Sequence, residues 1–327
     1  MTPSFNIILV ILQVILFTFQ ITNGNECKMN FLTSKDILKK LTSNIVPTLN
    51  GKSKGDLGRI GIIGGSVEYT GAPYFSAIAA FKAGADIVYV ITTEDAAPVI
   101  KIYSPDLIVY PFLNKKYASK ISSLLPKMDA IVIGPGLGRE DETMKLTYDI
   151  IESCKVLEKP IIIDADGLYA ISKNISIIQD YPKAGAILTP NGRESKKLME
   201  SINSNGSNWF NYWGENVSVL EKGETDKFHS RVPSYNWASS EGGSDRRVGG
   251  QGDFLSGSLA TFYHWALTSD VCQGEQHGQI SQSLASYAAA RLVRTCNSQA
   301  FEKYGRSMMA SDMIKEIHSA YKKVFED

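Results

Sequence analysis

The chain has 327 residues, 43% of them hydrophobic, and its 34 basic side chains balance its 34 acidic ones. A chain of this length and apolar content buries a full core, as one large α/β domain or two smaller ones. The zero net charge argues against a nucleic-acid partner, because such proteins rely on attraction to phosphates. The four histidines form no metal-ligand motif, so a zinc enzyme is not expected either.

Residues 1–28 form a hydrophobic leader. Residues 7–19 are apolar apart from Gln13 and Thr18, and this run is too short to span a membrane comfortably. Small residues at 22–24 suit signal cleavage, although no Lys or Arg precedes the apolar run. We interpret the leader as a secretory signal, which leaves no stable membrane span in the mature chain. A buried or anchoring helix is the alternative.

The compartment depends on whether the leader is used. The leader points to the endoplasmic reticulum or the secretory route, whereas a start at Met29 gives a leaderless, cytosolic form. On the secretory route Cys272 and Cys296 are candidates for a disulfide, but free thiols in a reducing compartment fit the sequence equally well. Three N-glycosylation sequons matter only on that route, and they begin at Asn174, Asn205 and Asn216.

From residue 29 onward, apolar runs typical of strands alternate with helical segments. Continuous apolar runs of this kind indicate a parallel sheet that is covered by helices on both faces. The predicted strands are residues 59–63, 87–92, 107–110, 130–133, 160–164, 186–189 and 217–221. A helix rich in small residues is predicted over 72–84. The pattern therefore predicts an α/β fold, a three-layer α/β/α single domain over residues 29–327 with a mostly parallel central sheet.

Glycine and polar residues follow five of these predicted strands. Right-handed crossovers place the C-terminal loops of parallel strands along one edge, which is where open α/β sheets bind ligands. The five segments are residues 64–66, 134–138, 164–167, 189–194 and 222–226. We therefore expect a binding site along this edge of the sheet.

Missing motifs exclude several enzyme classes. The sequence has no G-x-x-x-x-G-K-[ST] segment, so a P-loop enzyme is not expected. The glycines at 58–65 and 134–138 fail the G-x-G-x-x-G spacing of a Rossmann dehydrogenase. No G-x-S-x-G segment is present, which argues against an α/β-hydrolase.

A glycine-rich turn at residues 246–253, Arg-Arg-Val-Gly-Gly-Gln-Gly-Asp, leads directly into an apolar helical pattern. Backbone N–H groups at such a helix start are unpaired and form a site for phosphate oxygens. Glycine allows the backbone to approach a ligand closely. Asp253 could cap the helix or accept a proton from a bound hydroxyl, while Arg246 and Arg247 offset phosphate charge. An ordinary capped helix after a loop is the plain alternative.

Seven ordered motifs, spread over about residues 46–325, closely resemble the family of ATP-dependent NAD(P)H-hydrate dehydratases. They are residues 58–66, 69–74, 134–138, 164–167, 188–194, 222–226 and 246–253. The resemblance implies a ribokinase-like fold. It also implies a lyase that uses ATP to convert the (S)-hydrates of NADH and NADPH, known as NADHX and NADPHX, back to the reduced dinucleotides.

The resemblance also assigns roles to residues. Asp253 would accept the hydroxyl proton during transfer of the γ-phosphoryl group, and the N–H groups of Gly250 and Gly252 would stabilise that group. The implied ATP-binding residues are Lys222, Gly223, Glu224, Thr225, Asp226, Gly243, Ser244, Asp245, Arg246, Arg247, Val248, Gly249, Gly250, Gln251 and Gly252. The implied hydrate-binding residues are Gly138, Asn191, Gly192, Arg193, Glu194, Ser195, Lys196, Lys197 and Asp253. A helix N-cap at Asn191 and a polar hairpin at 222–226 are the structural alternatives.

One loop departs from the family pattern. Family members usually carry a Glu-Phe pair and a following arginine where this chain has Glu194-Ser195 and Lys196-Lys197. Mg²⁺ is the implied cofactor, with ATP as co-substrate, and Asp164 and Asp166 resemble carboxylates near a magnesium–phosphate complex. The same Asp-Ala-Asp-Gly segment is equally a strand-end turn. The family also implies a cytoplasmic or mitochondrial location, which conflicts with the leader, and a homo-oligomer is an open option.

Two other functions remain open from the residues. A ribokinase-like kinase of a vitamin precursor shares the turn at 246–253, but the motifs at 134–138 and 189–194 favour the dinucleotide enzyme. A secreted, inactive binding protein fits the leader, whereas the presence of Asp253 and Lys222 argues for activity.

Two further segments carry expectations about packing. The aromatic side chains within residues 203–213 are expected to cover a neighbouring segment or subunit. Residues 311–325 show an apolar stripe at helical spacing, which predicts one amphipathic helix packed on the core.

Overall fold

The structure is a computed structural model that describes residues 26–204, 206 and 208–326. The expectations for residues 1–25 of the leader, including its signal character, lie outside the described residues. The sequon at Asn205, with its Ser207, lies outside them as well.

The described chain forms one nine-stranded sheet in the order β3-β2-β1-β4-β5-β6-β7-β8-β9. The strands are β1 (Arg59–Ile63), β2 (Ile87–Ile91), β3 (Ile108–Tyr110), β4 (Ala130–Ile133), β5 (Ile161–Ile163), β6 (Ala186–Leu188), β7 (Val217–Glu221), β8 (Asp226–His229) and β9 (Trp237–Ser239). Strands β1 to β7 are parallel, which confirms the predicted fold class. The last two strands pair antiparallel and extend one edge of the sheet.

Helices cover both faces of the sheet. They are α1 (Lys35–Asn44), α2 (Gly71–Ala83), α3 (Ala96–Tyr103), α4 (Ala118–Leu124), α5 (Asp141–Val156), α6 (Asp166–Lys173), α7 (Gly192–Ser201), α8 (Gln251–Thr268), α9 (His277–Tyr304), α10 (Ala310–Lys315) and α11 (Ile317–Tyr321). Successive strand residues alternate between the two faces. Val132 of β4, for example, joins the core under α2, α8 and α9, whereas Ile131 and Ile133 join the core under α4 to α7. This alternation produces the three layers.

Helices α2 and α8 approach each other closely because small residues face the contact. A Cβ atom on Gly257 of α8 would collide with the carbonyl oxygen of Ser76 on α2. The hydroxyl group of Thr261 donates to the carbonyl oxygen of Ala80 at 3.0 Å. These contacts fix α8 along the sheet, so that its N-terminus stands at the carboxyl edge of the strands.

The C-terminal segment differs from its prediction. One helix was expected over 311–325, but α10 and α11 are separate, and the chain turns between them at Glu316. The carboxylate of Glu316 is buried and pairs with Lys303 of α9 at 2.6 Å. The expected core packing is present nevertheless, since Met313 and Ile317 are almost fully buried.

The aromatic side chains near residue 210 fill the protein's own core. Trp209, Phe210 and Trp213 are all at least nine-tenths buried, and they join the core cluster that contains β7. Of the two expected alternatives, these three side chains therefore cover a neighbouring segment of the same chain rather than a subunit. Tyr212 remains partly exposed.

A disulfide joins Cys27, at the end of the predicted leader, to Cys272, in the loop between α8 and α9. Their Cα atoms are 5.6 Å apart, which is within the usual range for a disulfide. The expected partnership of Cys272 with Cys296 was wrong, because Cys296 lies buried inside α9 as a free thiol. No helix of the described residues is both long enough and apolar enough to cross a membrane.

Candidate active site

Polar side chains at the C-terminal ends of three neighbouring strands meet at one point on the carboxyl edge of the sheet. Asp164 follows β5, Thr189 follows β6 and Lys222 follows β7. The hydroxyl group of Thr189 donates to Asp164 Oδ1 at 2.9 Å, and the ammonium group of Lys222 donates to the same oxygen at 2.6 Å. The polar residues at these three strand ends therefore form one hydrogen-bonded group rather than three separate turns.

This group is buried but remains charged. The side chain of Asp164 is 1% exposed and that of Lys222 is 18% exposed. Burial alone would lower the pKa of Lys222, but the carboxylates of Asp164 and Glu194 raise it, and the net shift is upward. Lys222 therefore carries its positive charge at neutral pH, directly beside the start of α8.

The N-terminus of α8 provides unpaired backbone donors. Gly250 occupies the N-cap position with φ of +91°, a left-handed conformation that suits glycine. The amide of Phe254 donates to the Gly250 carbonyl oxygen, while the amides of Gly250, Gly252 and Asp253 donate to no group in the described part of the chain. Free N–H groups at a helix start favour an anion, and a phosphate is the natural candidate.

Asp253 is the third residue of α8 and is not its cap, since the N-cap is Gly250 and no side chain caps this helix. Burial raises the pKa of the Asp253 carboxyl group to about 7, with a further contribution from the negative charge of Asp164 and an opposing one from Lys222. A carboxyl group with this pKa exchanges a proton readily near neutral pH, as a general base requires.

A cavity of ≈ 290 Å³ opens next to the phosphate-binding turn. Its lining includes Asn191, Lys222, Gly223, Asp226, Arg247, Val248, Gln251, Gly252, Leu255, Ala290, Val293 and Arg294. Four of these side chains are apolar and come from the turn, α8 and α9, so they offer a surface for a flat ring. The cavity is therefore bordered by an apolar surface that suits a ring and by the free amides at the start of α8, which suit an anion.

The lining contains many of the residues predicted to bind ATP. Of these, Lys222, Gly223, Asp226, Arg247, Val248, Gln251 and Gly252 line the cavity. The other predicted ATP-binding residues are outside the lining, namely Glu224, Thr225, Gly243, Ser244, Asp245, Arg246, Gly249 and Gly250. The hairpin alternative for 222–226 is also present, because this segment is the antiparallel turn between β7 and β8. The amide of Gly223 donates to Asp226 Oδ1 at 3.0 Å and closes that turn.

Arg294 of α9 holds together two segments that the sequence predicts to bind ATP, although no motif predicted Arg294 itself. Its guanidinium group donates to the carbonyl oxygens of Glu224, Ser240, Glu241 and Gly242 at 3.0 Å. It also pairs with the Asp226 carboxylate at 3.4 Å. One side chain therefore ties the β7–β8 turn to the loop before residue 246.

Asn297, one turn further along α9, supports the same loop. Its Oδ1 accepts from the hydroxyl group of Ser244 at 2.7 Å, and its Nδ2 donates to the Arg246 carbonyl oxygen at 3.2 Å. Arg247 bridges from the loop to the carbonyl oxygen of Gly223. Arg294 and Asn297 are three residues apart and therefore lie on one face of α9.

The residues predicted to bind the hydrate are grouped at the start of α7. Asn191 is its N-cap and accepts from the amides of Arg193 and Glu194, while the Glu194 carboxylate accepts from the Asn191 amide. This capping box establishes the structural alternative for Asn191, and a binding role remains compatible with it. Ser195 is buried against the core. The remaining members, Gly192, Arg193, Lys196 and Lys197, are exposed on the helix surface.

Gly138 lies on a neighbouring rim loop. Its amide donates to Asp166 Oδ2 at 3.1 Å, and the other oxygen of that carboxylate accepts from Arg139 at 2.8 Å. Asp166 therefore links the loop after β4 to the start of α6. Gly138 is absent from the cavity lining, and its nearest neighbour across the rim is Ser66.

The described residues offer no cluster of three His, Cys, Asp or Glu side chains that could hold a metal ion. Asp164 is paired with Lys222, and Asp166 is paired with Arg139. Mg²⁺ in nucleotide sites is commonly held by phosphates, waters and one or two carboxylates. The side chains present therefore fit a magnesium ion that arrives on the phosphates of a nucleotide.

The parallel sheet between helical layers, together with a glycine-rich helix start whose amides are unpaired at the carboxyl edge, defines a ribokinase-like fold. Solved structures agree: the fold is similar to a ribokinase-like superfamily protein from Enterococcus faecalis, with a TM-score of 0.72 and 19% identity over 88% of this chain and 95% of that one. It is also similar to an ADP/ATP-dependent NAD(P)H-hydrate dehydratase from Bacillus subtilis, co-crystallised with ATP/Mg²⁺, with a TM-score of 0.66 and 18% identity over 88% and 97% of the two chains.

The chain belongs to the NAD(P)H-hydrate dehydratase family, whose family model matches residues 60–319. It is 46% identical over 292 residues to the ATP-dependent (S)-NAD(P)H-hydrate dehydratase of Drosophila pseudoobscura pseudoobscura, which covers 89% of this chain and 94% of that protein. It is 44% identical over 298 residues to the protein of the same name from Homo sapiens, which covers 88% and 84% of the two chains. The family expected from the seven motifs is thereby confirmed.

Proposed function

We propose that this protein is a carbon–oxygen lyase that uses ATP to dehydrate the (S)-hydrates of NADH and NADPH. The observation that carries the proposal is the conjunction of unpaired amides at Gly252 and Asp253 with the buried ammonium group of Lys222 beside the ring-sized cavity. The names of relatives 44–46% identical to this chain supply the substrate.

The chemistry uses ATP to improve a poor leaving group. The ring hydroxyl of the hydrate attacks the γ-phosphorus of ATP, the bond to the bridging oxygen breaks and ADP leaves. The hydroxyl proton passes to the carboxylate of Asp253, while the amides of Gly250 and Gly252 stabilise the charge that develops on the transferring phosphoryl group.

Elimination follows within the phosphorylated ring. The ring nitrogen lone pair expels phosphate with the electrons of the C–O bond, and loss of a proton from the adjacent ring carbon restores the double bond. The sum is hydrate plus ATP giving reduced dinucleotide, ADP, phosphate and a proton. Bound with ATP, Mg²⁺ would supply charge neutralisation on the phosphate oxygens.

The test is the recovery of absorbance at the reduced-nicotinamide band after NADPH hydrate, Mg²⁺ and ATP are mixed with purified residues 29–327. We expect a rise that depends on ATP and is lowered by on the order of 10²-fold or more in Asp253→Asn, because the proton acceptor is removed. Binding of ATP by the variant serves as the control for its integrity. ATP consumption with another small alcohol, and no recovery, would point to a small-molecule kinase instead.

We also propose that the compartment follows the start site. A product that keeps Cys27 can form the disulfide with Cys272, which suits the oxidising secretory route, whereas a start at Met29 removes Cys27 and suits the cytosol. Mass spectrometry of the N-terminal peptide from each cell fraction tests this, and a single N-terminus in all fractions would contradict it.

A further inference from the structure

We propose that Asp164 is a positioning residue that holds the ammonium group of Lys222 at the start of α8, where Lys222 contacts the γ-phosphate of ATP. The inference rests on the proposed function, since it names the partner of the transferred group within the same site. It also assigns Asp164 a role other than that of a magnesium ligand.

The geometry commits one oxygen of the Asp164 carboxylate to neighbouring side chains rather than to a ligand. Its side chain is 1% exposed, and its Oδ1 accepts both the Thr189 hydroxyl and the Lys222 ammonium group. Thr189 is itself fully buried and also donates to the backbone of Ile163. The carboxylate of Asp164 is therefore held in place by Thr189 at the end of β6, and it acts on the site through Lys222.

Gly252 shows where the ammonium group points. A Cβ atom built on Gly252 would lie 3.1 Å from Lys222 Nζ and 4.0 Å from Asp164 Oδ2. The ammonium group therefore lies against the first turn of α8, beside the unpaired amides of Gly252 and Asp253. A phosphoryl group bound by those amides comes within reach of the same positive charge.

The hydrogen-bond capacity of Lys222 supports this role. An ammonium group has three donors, and within the described residues Lys222 Nζ donates to Asp164 alone. Two donors therefore remain for phosphate oxygens. A buried lysine without a carboxylate partner tends to lose its proton, so Asp164 also keeps the phosphate contact charged.

The test is a double-mutant cycle with Asp164→Asn and Lys222→Met, read out by calorimetric affinities for ADP and for the non-hydrolysable ATP analogue AMP-PNP in magnesium buffer. We expect Lys222→Met to weaken AMP-PNP on the order of tenfold more than ADP. Asp164→Asn should produce the same selective loss in the wild-type background and no further loss in the Lys222→Met background. The proposal would be overturned if the double variant lost the product of the two single-variant selectivities. It would also be overturned if Asp164→Asn kept the wild-type preference for AMP-PNP over ADP.

Controls separate positioning from folding. Glu316→Gln removes another buried carboxylate that pairs with a lysine, Lys303, at the same distance of 2.6 Å but in the C-terminal segment, and it should leave the nucleotide preference unchanged. If Asp164→Asn does not fold, Thr189→Val loosens the same carboxylate and should shift the preference in the same direction. The affinities do not require turnover, so absent NADPH recovery in the wild type would count against the proposed function while the cycle still decides the role of Asp164.

Discussion

The carboxyl group of Asp253 lies among charges that oppose one another. Asp164, Asp166 and Glu194 disfavour its ionised form, as burial does, whereas Lys222 favours it. The balance holds its pKa at about 7 rather than at the ordinary value of 3.8. A base with this pKa combines a large ionised fraction with enough proton affinity to accept the hydroxyl proton.

The pH dependence of turnover should report this balance. Asp253 accepts a proton only when ionised, so kcat should rise with pH through about 7 and level off above it. The measurement is the rate of ATP-dependent NADPH recovery between about pH 6 and about pH 8.5, with hydrate and ATP saturating. A rate that stays flat across this interval would show that a different group accepts the proton.

The same shift affects stability in the opposite sense. Because the folded protein binds this proton more tightly than the unfolded chain, the contribution of Asp253 to stability declines as pH rises from the unfolded value of 3.8 toward about 7. The site therefore gives up stability at the pH where its base becomes active, as is common at functional positions.

Among the elements, helix α9 anchors the loop at residues 240–247, which includes residues that the sequence predicts to bind ATP. Arg291, Arg294 and Asn297 follow one another at intervals of three, and each contacts the segment between residues 240 and 247. Arg294 makes four bonds to backbone carbonyl oxygens, which a planar guanidinium group can satisfy simultaneously. The loop thus takes its shape from a helix that follows it in sequence.

Replacing Arg294 should therefore affect nucleotide binding more than chemistry. In Arg294→Lys the compact ammonium group cannot reach all four carbonyl oxygens, so we expect KM for ATP to rise by about tenfold with kcat changed by less than about threefold. Steady-state kinetics with varied ATP provide the measurement. Arg291→Lys is the matched control, since Arg291 contacts only Glu241 of this loop, at 3.6 Å. A fall in kcat without a change in KM would contradict this role.

The parallel strands were predictable because each is a short apolar run, buried on both faces in the middle of the sheet, and β1, β4 and β7 begin and end at the predicted residues. Strands β8 and β9 escaped prediction because their register depends on pairing, of β8 with β7 and of β9 with β8, rather than on a strong local pattern. The glycine-rich turn predicted a phosphate site from chemistry alone, and the unpaired amides of Gly252 and Asp253 are compatible with that prediction. Arg294 could not be recognised in this way, because its partners are backbone carbonyl oxygens whose positions no sequence pattern records.

At the scale of the whole molecule, the disulfide ties the first described segment to the loop before α9. It joins positions 245 residues apart, and Phe31 lies fully buried a few residues after Cys27. The segment before α1 is therefore part of the folded domain and is held at two places, by the disulfide and by the core.

Removing this disulfide should cost stability only under oxidising conditions. We expect Cys27→Ser to lower the free energy of unfolding by about 2–5 kcal/mol, because the unfolded chain regains the freedom that the cross-link removes. Urea unfolding of wild type and variant, with and without dithiothreitol, provides the measurement. The reduced wild type serves as control and should match the variant. Equal stability of the two proteins without the reductant would show that the bond contributes nothing.

The close contact between α2 and α8 also makes a prediction about the sequences of related proteins. Gly257 lies one helical turn after Asp253, and any larger side chain there would meet the backbone of Ser76. A relative that retains residues equivalent to 250–253 but has lost this glycine must move α8 away from α2, and the anion site moves with it. We therefore expect relatives that keep the spacing Gly-Asp-x-x-x-Gly to retain the position of α8, and relatives that lose its second glycine to be altered at this site.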